Sequence, residues 1–252
     1  GPNLAEPVQN LAARLGMEPS AGPFLLCTVA FTIATAVAWL GLRPDPLLLA
    51  RSRVGEAAAG PAVSAAQVRA ALRASPPAVL GLMGVALGHL VMIAVMSMTP
   101  VHMDHHGASL QIVGLVISIH VLGMYAFSPI FGWLADRLGR AFVMLLGAGM
   151  LVVSGILAAV AGDTVLLTVA LLLLGLGWSA GLIAGSALLT DSLPVAVRPG
   201  AQGLSDVTMN VAGALGGIIG GVVVATASYA ALGFAAAALV VPYAVLILAV
   251  LR

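Results

Sequence analysis

The chain has 252 residues, 61% hydrophobic and only 8% charged, with a formal net charge of +1 and a mean hydropathy of +1.14. A water-soluble domain carries roughly 25% charged residues, so this composition excludes a soluble enzyme and a disordered chain. A charge near zero also supplies no field for nucleic acid, and the single cysteine, Cys27, excludes a disulfide framework or a cysteine-based zinc site.

The class is therefore an all-α polytopic membrane protein, whose first partner is the lipid bilayer. A spanning helix needs about 20 mostly apolar residues. Residues 1–22, interrupted by Pro2, Pro7 and Pro19, are too short to span alone. The start GPNLAEPVQN has neither a basic n-region nor an initiator Met, so we read no signal peptide. It is expected to be a cut inside a longer protein, or Gly1-Pro2 a tag scar.

Seven spans are predicted, at 23–42, 78–98, 110–134, 142–161, 165–189, 204–227 and 230–251. Each is apolar on all sides over a length that barrel strands do not reach. The connectors are short except 43–77, which holds Arg43, Arg51, Arg53, Arg69 and Arg73. Inside it, VSAAQVRAALRA reads as an amphipathic helix lying on the anionic inner leaflet, with a flexible linker as the alternative. If this loop is cytoplasmic, nine of the ten basic residues, all arginines, fall on that side and only Arg14 falls outside. The positive-inside rule then places 43–77, 135–141 and the C-terminus at the cytoplasmic face of the cell membrane.

Several polar side chains fall inside the spans. His89 and His120 both lie near the midplane, on helices of opposite direction. Ionisable groups there usually face a cavity or a partner, and histidine titrates in the range of a coupling proton. The alternative is a neutral structural imidazole bonded to a carbonyl or to Ser118. Met92 and Met96 share a helical face with His89. At the outer mouth, His102, His105 and His106 beside Met103 and Asp104 are candidate ligands for a soft or borderline metal.

Trp178 and Ser179 sit near mid-depth of the fifth span and are candidates to touch substrate. Around them Gly177, Gly181 and Gly185 form one small-residue stripe, and Gly213, Gly217 and Gly221 form another in the sixth span. Such rows let helix backbones approach closely. Asp206 lies one turn into the sixth span with Asn210 one turn deeper. Asp206 is a candidate inner gate through an ion pair with Arg198, or else a helix-start cap or partner of Arg198 or Arg137; Asn210 is a candidate for the proton or substrate site, and Asp191 reads as a solvated charge near Arg198.

Between the third and fourth spans the sequence reads Gly132-Trp-Leu-Ala-Asp136-Arg137-Leu-Gly139-Arg140. Gly132 is expected to let neighbouring helices approach, and Gly139 to permit a tight turn. Asp136 and the two arginines are expected to form a charge relay or to meet the end of another helix. The segment resembles the G-x-x-x-D-[RK]-x-G-[RK] loop signature of the major facilitator superfamily, with every defining position matched.

That resemblance implies two six-helix halves joined by a long cytoplasmic loop. Residues 78–252 are then similar to the C-terminal half, 23–42 to helix six and 1–15 to the tail of helix five. The rest of the N-terminal half would be missing, and it becomes an implied partner. Gly1-Pro2 is weakly similar to the family's antiporter signature, without the glycines that follow it there. The function implied is secondary transport of a small solute by alternating access, driven by a proton or another ion. The alternative is a membrane sensor or scaffold with the same fold. No P-loop, nucleophile–base pair or H-E-x-x-H pattern is present, so an enzyme is not expected and no cofactor is implied.

Overall fold

The structure, a computed structural model, describes residues 4–43 and 63–250. Arg51, Arg53, Gly1, Pro2 and Arg252 therefore lie outside the described residues. The chain divides into two compact units, residues 1–62 and 63–252.

In the first unit, α1 (Ala5–Arg14) folds back on α2 (Gly22–Gly41) through a 3-10 turn at Pro19–Ala21. Pro7 is tolerated because it sits in the first turn of α1, where amides have no helical partner. The contact is close: a Cβ on Gly22 would overlap the Val8 carbonyl, and Ala12 is fully buried. α2 is apolar on every side, and Phe24, Phe31 and Trp39 are exposed within this unit.

The second unit holds α3 (Ala65–Arg73), α4 (Pro76–His105), α5 (Leu110–Tyr125), α6 (Ser128–Leu138), α7 (Arg140–Val160), α8 (Thr164–Asp191), α9 (Arg198–Thr226) and α10 (Tyr229–Val250). Seven helical segments of the described chain are long and apolar enough to cross a membrane, with α5 and α6 counted as one. They match the seven predicted spans and make this an all-α, multi-pass membrane protein.

Three boundaries differ from expectation, each for a physical reason. The third span breaks at Ala126–Phe127, where Pro129 opens α6 at a position that needs no amide donor. The second span continues through Pro100 to His105. There the Thr99 hydroxyl bonds the Val95 carbonyl at 2.8 Å and shares a second 2.8 Å bond with the Tyr229 hydroxyl, tying α4 to α10. The sixth span starts at Arg198 behind a 3-10 turn, so Asp206 lies two turns deep rather than one.

Lipid provides no hydrophobic drive between helices, so close van der Waals approach has to hold them. Glycine supplies it at reciprocal crossings. Gly81 meets Gly185 between α4 and α8, Gly147 meets Gly177 between α7 and α8, and Gly155 meets Gly233 between α7 and α10. Gly123 and Gly175 do the same between α5 and α8, and Gly216 and Gly220 lie on the Leu90 and Ala94 carbonyls of α4. Gly84 makes room for the Tyr243 ring, whose hydroxyl donates to the Leu80 carbonyl at 3.1 Å.

The expected stripes are thus partly corrected. Gly177, Gly185 and Gly213 stand at close contacts, whereas Gly217 has only an ordinary 3.7 Å neighbour in Ile93. A Cβ on Gly181 or Gly221 would meet nothing within 4 Å. On α9 the packed stripe is 213/216/220, because it turns toward α4 while 221 turns away.

α8 packs against α4, α5 and α7; α9 packs against α4; and α10 packs against α7 and α4. The result is a row in the order α5–α8–α4–α9, with α7 and α10 behind it. At one end of the bundle, α3 is docked on protein by one face. Ser64 caps it reciprocally with Gln67. Val68 and Leu72 are buried with Ala78, Leu189, Leu193 and Ala201, and Val68 rests over Gly200. Arg69 and Arg73 stay exposed on the opposite face.

Candidate functional site

One face of the row carries a set of polar and aromatic side chains near the middle of its membrane spans. Trp178 of α8 donates its indole Nε1–H to Nδ1 of His89 on α4 at 3.0 Å. Tyr125 of α5 meets the Trp178 ring edge-on, with centroids 6.0 Å apart and 75° between planes. On the other side His89 lies against Gly213 of α9, where a Cβ would come within 2.7 Å of the imidazole Cδ2. One residue from each of four adjacent helices is thereby joined in a single line.

The bond to Trp178 also sets the imidazole's state. Nδ1 accepts, so it carries no proton, and the neutral ring must hold its hydrogen on Nε2. His89 is half-buried, Trp178 is buried, and Tyr125 is 61% exposed. Asn210 lies one turn from Gly213 on the exposed side of α9 and donates its amide to the Asp206 carbonyl at 2.7 Å. Among the described residues its side-chain oxygen makes no hydrogen bond.

Other expected site residues fall elsewhere. His120 is 1% exposed, and its Nδ1–H donates to the Leu171 carbonyl of α8 at 2.8 Å. Among the described residues, no hydrogen bond or ring contact joins it to His89, and its buried Nε2 has no hydrogen-bond partner. Ser179 is buried and bonds the Ser128 hydroxyl at 3.1 Å, bracing α8 against α6. Met92 is in the core and Met96 is half-buried at its edge; neither belongs to the open line.

Among the described residues, Asp206 and Arg198 form no ion pair. Asp206 accepts from the Gln202 side chain at 3.0 Å, while Arg198 Nε donates to the Leu193 carbonyl at 3.0 Å. The two are separated by about 12 Å of helix rise, and each is satisfied by a nearer partner.

Two of the outer histidines are engaged by other groups. His102 stacks on Tyr229, with centroids 4.3 Å apart and 12° between planes, and lies 4.3 Å from the His106 ring. Nδ1 of His106 is spent on the His102 carbonyl. These two rings and Asp163 line a recess of about 390 Å³, while His105 is exposed outside it. No group of three or more His, Cys, Asp or Glu side chains among the described residues is placed to hold a metal.

The charged loop between α6 and α7 is organised by Arg140. Its Nη1 reaches Asp136 at 2.8 Å and the Ala135 carbonyl at 2.8 Å, and its Nε reaches Asp191 of α8 at 3.2 Å. Asp191 is thus a helix-end partner of Arg140, not a free charge near Arg198. Arg137 instead lies over the Trp133 ring, 4.9 Å from its centroid. Gly139 turns the chain with φ +94°, as its position requires. Gly132 has nothing within 4 Å of a Cβ, so it serves no helix contact within this unit.

Residues 81–252 match the family model described as the Major Facilitator Superfamily. The chain belongs to the Major Facilitator Superfamily. It is 42% identical over 236 residues to a protein named uncharacterized MFS-type transporter YdeG of Bacillus subtilis, covering 92% of this chain and 54% of that protein. It is 39% identical over 252 residues to uncharacterized MFS-type transporter YddS of the same organism, covering 95% and 56%. Riboflavin transporter RfnT of Brucella anthropi is 35% identical over 135 residues, or 54% of this chain and 34% of that protein. The chain thus spans about half the length of the first two relatives. All three are named as transporters and none as an enzyme. Within this superfamily member, sequence reasoning missed Tyr125 and the Arg140–Asp191 pair. A signal existed for the first, since Tyr125 interrupts an apolar span at the depth of His120 and Trp178; none existed for the second, which joins residues 51 positions apart.

Proposed function

We propose that this protein is part of a secondary active transporter that moves a small solute by alternating access, with the His89–Trp178–Tyr125 line as its half of the solute site. Family membership and the transporter names of the relatives support transport. The observation that carries the site is the Trp178–His89 bond, which fixes polar atoms at mid-depth on an open face. Solute sites of such transporters lie at the midplane between repeats or halves.

The remaining half of the wall is supplied in this reading by an N-terminal half. Residues 1–42 are the end of it and 43–77 the connecting loop. The arginine asymmetry supports a cytoplasmic side for that loop, 135–141 and the C-terminus at the cell membrane. Coupling to a proton falls naturally to His89: a proton arriving at Nδ1 turns an acceptor into a donor and expels the indole N–H. In the same reading Asp206, exposed on α9, is a gate group whose partner comes from outside this unit.

Flux in proteoliposomes under an imposed pH gradient tests the reading, with riboflavin, the solute named for one relative, as the first tried. Uptake or extrusion that collapses with a protonophore and is lost in His89→Leu is the expected result. Solute binding without flux under any gradient overturns it in favour of a sensor.

A further inference from the structure

The C-terminal end of α4 carries a pair of imidazoles about 20 Å along the helix from His89, well away from the proposed solute line. His102 and His106 are one turn apart, the spacing that brings two side chains together on one helix face. Their ring centroids are 4.3 Å apart, with 49° between planes. Both line the recess of about 390 Å³ that the end of α4 forms with residues of the 107–112 and 161–167 segments.

Each ring is held without using up the nitrogen that could bind a metal. His102 is stacked on Tyr229, and Tyr229 is itself anchored by its 2.8 Å bond with the Thr99 hydroxyl. Among the described residues, neither nitrogen of His102 makes a hydrogen bond. The Nδ1–H of His106 donates to the His102 carbonyl at 2.8 Å, which leaves the lone pair of the neutral ring on Nε2. A backbone carbonyl in that position is the usual outer contact of a metal-binding histidine, because it fixes the tautomer and the ring plane. A helix-end cap accounts for that bond but not for a second, stacked ring beside it with both nitrogens open.

The spacing also selects the metal. A metal about 2.05 Å from an imidazole nitrogen lies about 3.2 Å from the ring centroid. Two such rings with centroids 4.3 Å apart subtend about 85° at the metal, whereas tetrahedral ligands would need about 5.2 Å. Cis nitrogens near a right angle belong to square-planar or octahedral coordination, which suits copper(II) and nickel(II) better than zinc(II). No third His, Cys, Asp or Glu among the described residues completes the group, so water takes the remaining positions. Asp163, whose carboxylate caps the Leu166 amide at 2.8 Å, adds negative charge to the lining of the recess.

We propose that His102 and His106 form a two-imidazole site for copper(II), with nickel(II) bound more weakly, at the C-terminal end of α4. The site does not depend on the transport reading, and binding alone tests it.

The full-length protein, purified without a polyhistidine tag and held in nanodiscs, is titrated by calorimetry with copper(II), nickel(II) and zinc(II) chlorides in a non-chelating buffer. One copper(II) site per chain is expected to disappear in His106→Ala, and that site is expected to hold copper(II) about tenfold or more tightly than zinc(II). His102→Ala is expected to remove the same site. His105→Ala, outside the recess, is expected to leave it intact. Electron paramagnetic resonance of the copper(II) complex should show couplings to two imidazole nitrogens, reduced in His106→Ala. His106 is exposed, so its replacement leaves the fold intact, a thermal melt checks this, and it carries the test should His102→Ala unfold. Copper(II) binding undiminished in His106→Ala, an equal loss in His105→Ala, or zinc(II) held more tightly than copper(II) overturns the proposal.

Discussion

Trp178 and His89, 89 positions apart in sequence, share a 3.0 Å hydrogen bond at the crossing of α8 and α4. The bond exists only while His89 Nδ1 is unprotonated, because an imidazolium has two donors and no acceptor. It is therefore present at high pH and lost as His89 gains a proton. Tyr125 on α5 touches the pair through Trp178, α9 presents Gly213, and Asp206 lies two turns away. With Trp39 and Trp133 replaced by Phe, the Trp178 emission should shift on acidification in one step, and His89→Leu should abolish the step. Trp178→Phe should cost about 1 kcal/mol of stability in a melt, the usual net value of such a bond, and nothing further when combined with His89→Leu. Additive losses, or a step that survives His89→Leu, would show that the bond does not govern the pair.

The helix crossings give a second expectation, in which the sign depends on which glycine is changed. A Cβ on Gly155 would meet the Gly233 carbonyl at 2.7 Å and the Ala237 amide at 3.0 Å. These are backbone atoms that cannot step aside without moving α10. Gly155→Ala should therefore destabilise by about 1–3 kcal/mol, the range for overpacking. Gly181→Ala and Gly221→Ala meet open space and should be neutral or stabilising by up to about 1 kcal/mol, since alanine is the better helix former. Thermal unfolding in one detergent compares all three. Equal losses at 155, 181 and 221 would mean that close backbone approach does not hold this bundle.

The seven spans are legible in the sequence because lipid leaves a backbone few options, and length and hydropathy then suffice. The loop signature is legible because Gly139 and its charged neighbours are contiguous. What cannot be read is which side of each helix faces which partner. Gly213 and Gly217 look equivalent in a small-residue row, yet α9 turns only the first toward His89. His89 and His120 look equivalent in depth, yet one opens onto the face and the other bonds Leu171 inside the core. Helix rotation is set by long-range crossings such as Gly81–Gly185, and these have no local signal. The Asp206–Arg198 pair fails as an expectation for a related reason: the nearby Gln202 and Leu193 satisfy both groups first.

The two arginines of the loop signature, equivalent in pattern, should behave differently. Arg140 holds Asp136, Asp191 and the Ala135 carbonyl at once and is the link between the α6–α7 turn and the end of α8. Its side chain is 29% exposed, against 72% and 54% for the two carboxylates, so water screens each pair and neither is worth more than about 1 kcal/mol alone. The combined loss in Arg140→Ala should reach about 1–2 kcal/mol, because three acceptors lose one donor. Arg137→Ala gives up only its contact with exposed Trp133 and should cost about 0.5–1 kcal/mol. Asp191→Asn should capture part of the Arg140→Ala loss and add nothing to it in the double variant, since both act on one bond. Thermal melts at low and high salt check this, with the Arg140 effect shrinking as salt rises. A larger loss at Arg137 than at Arg140 would reverse the assignment of the hub.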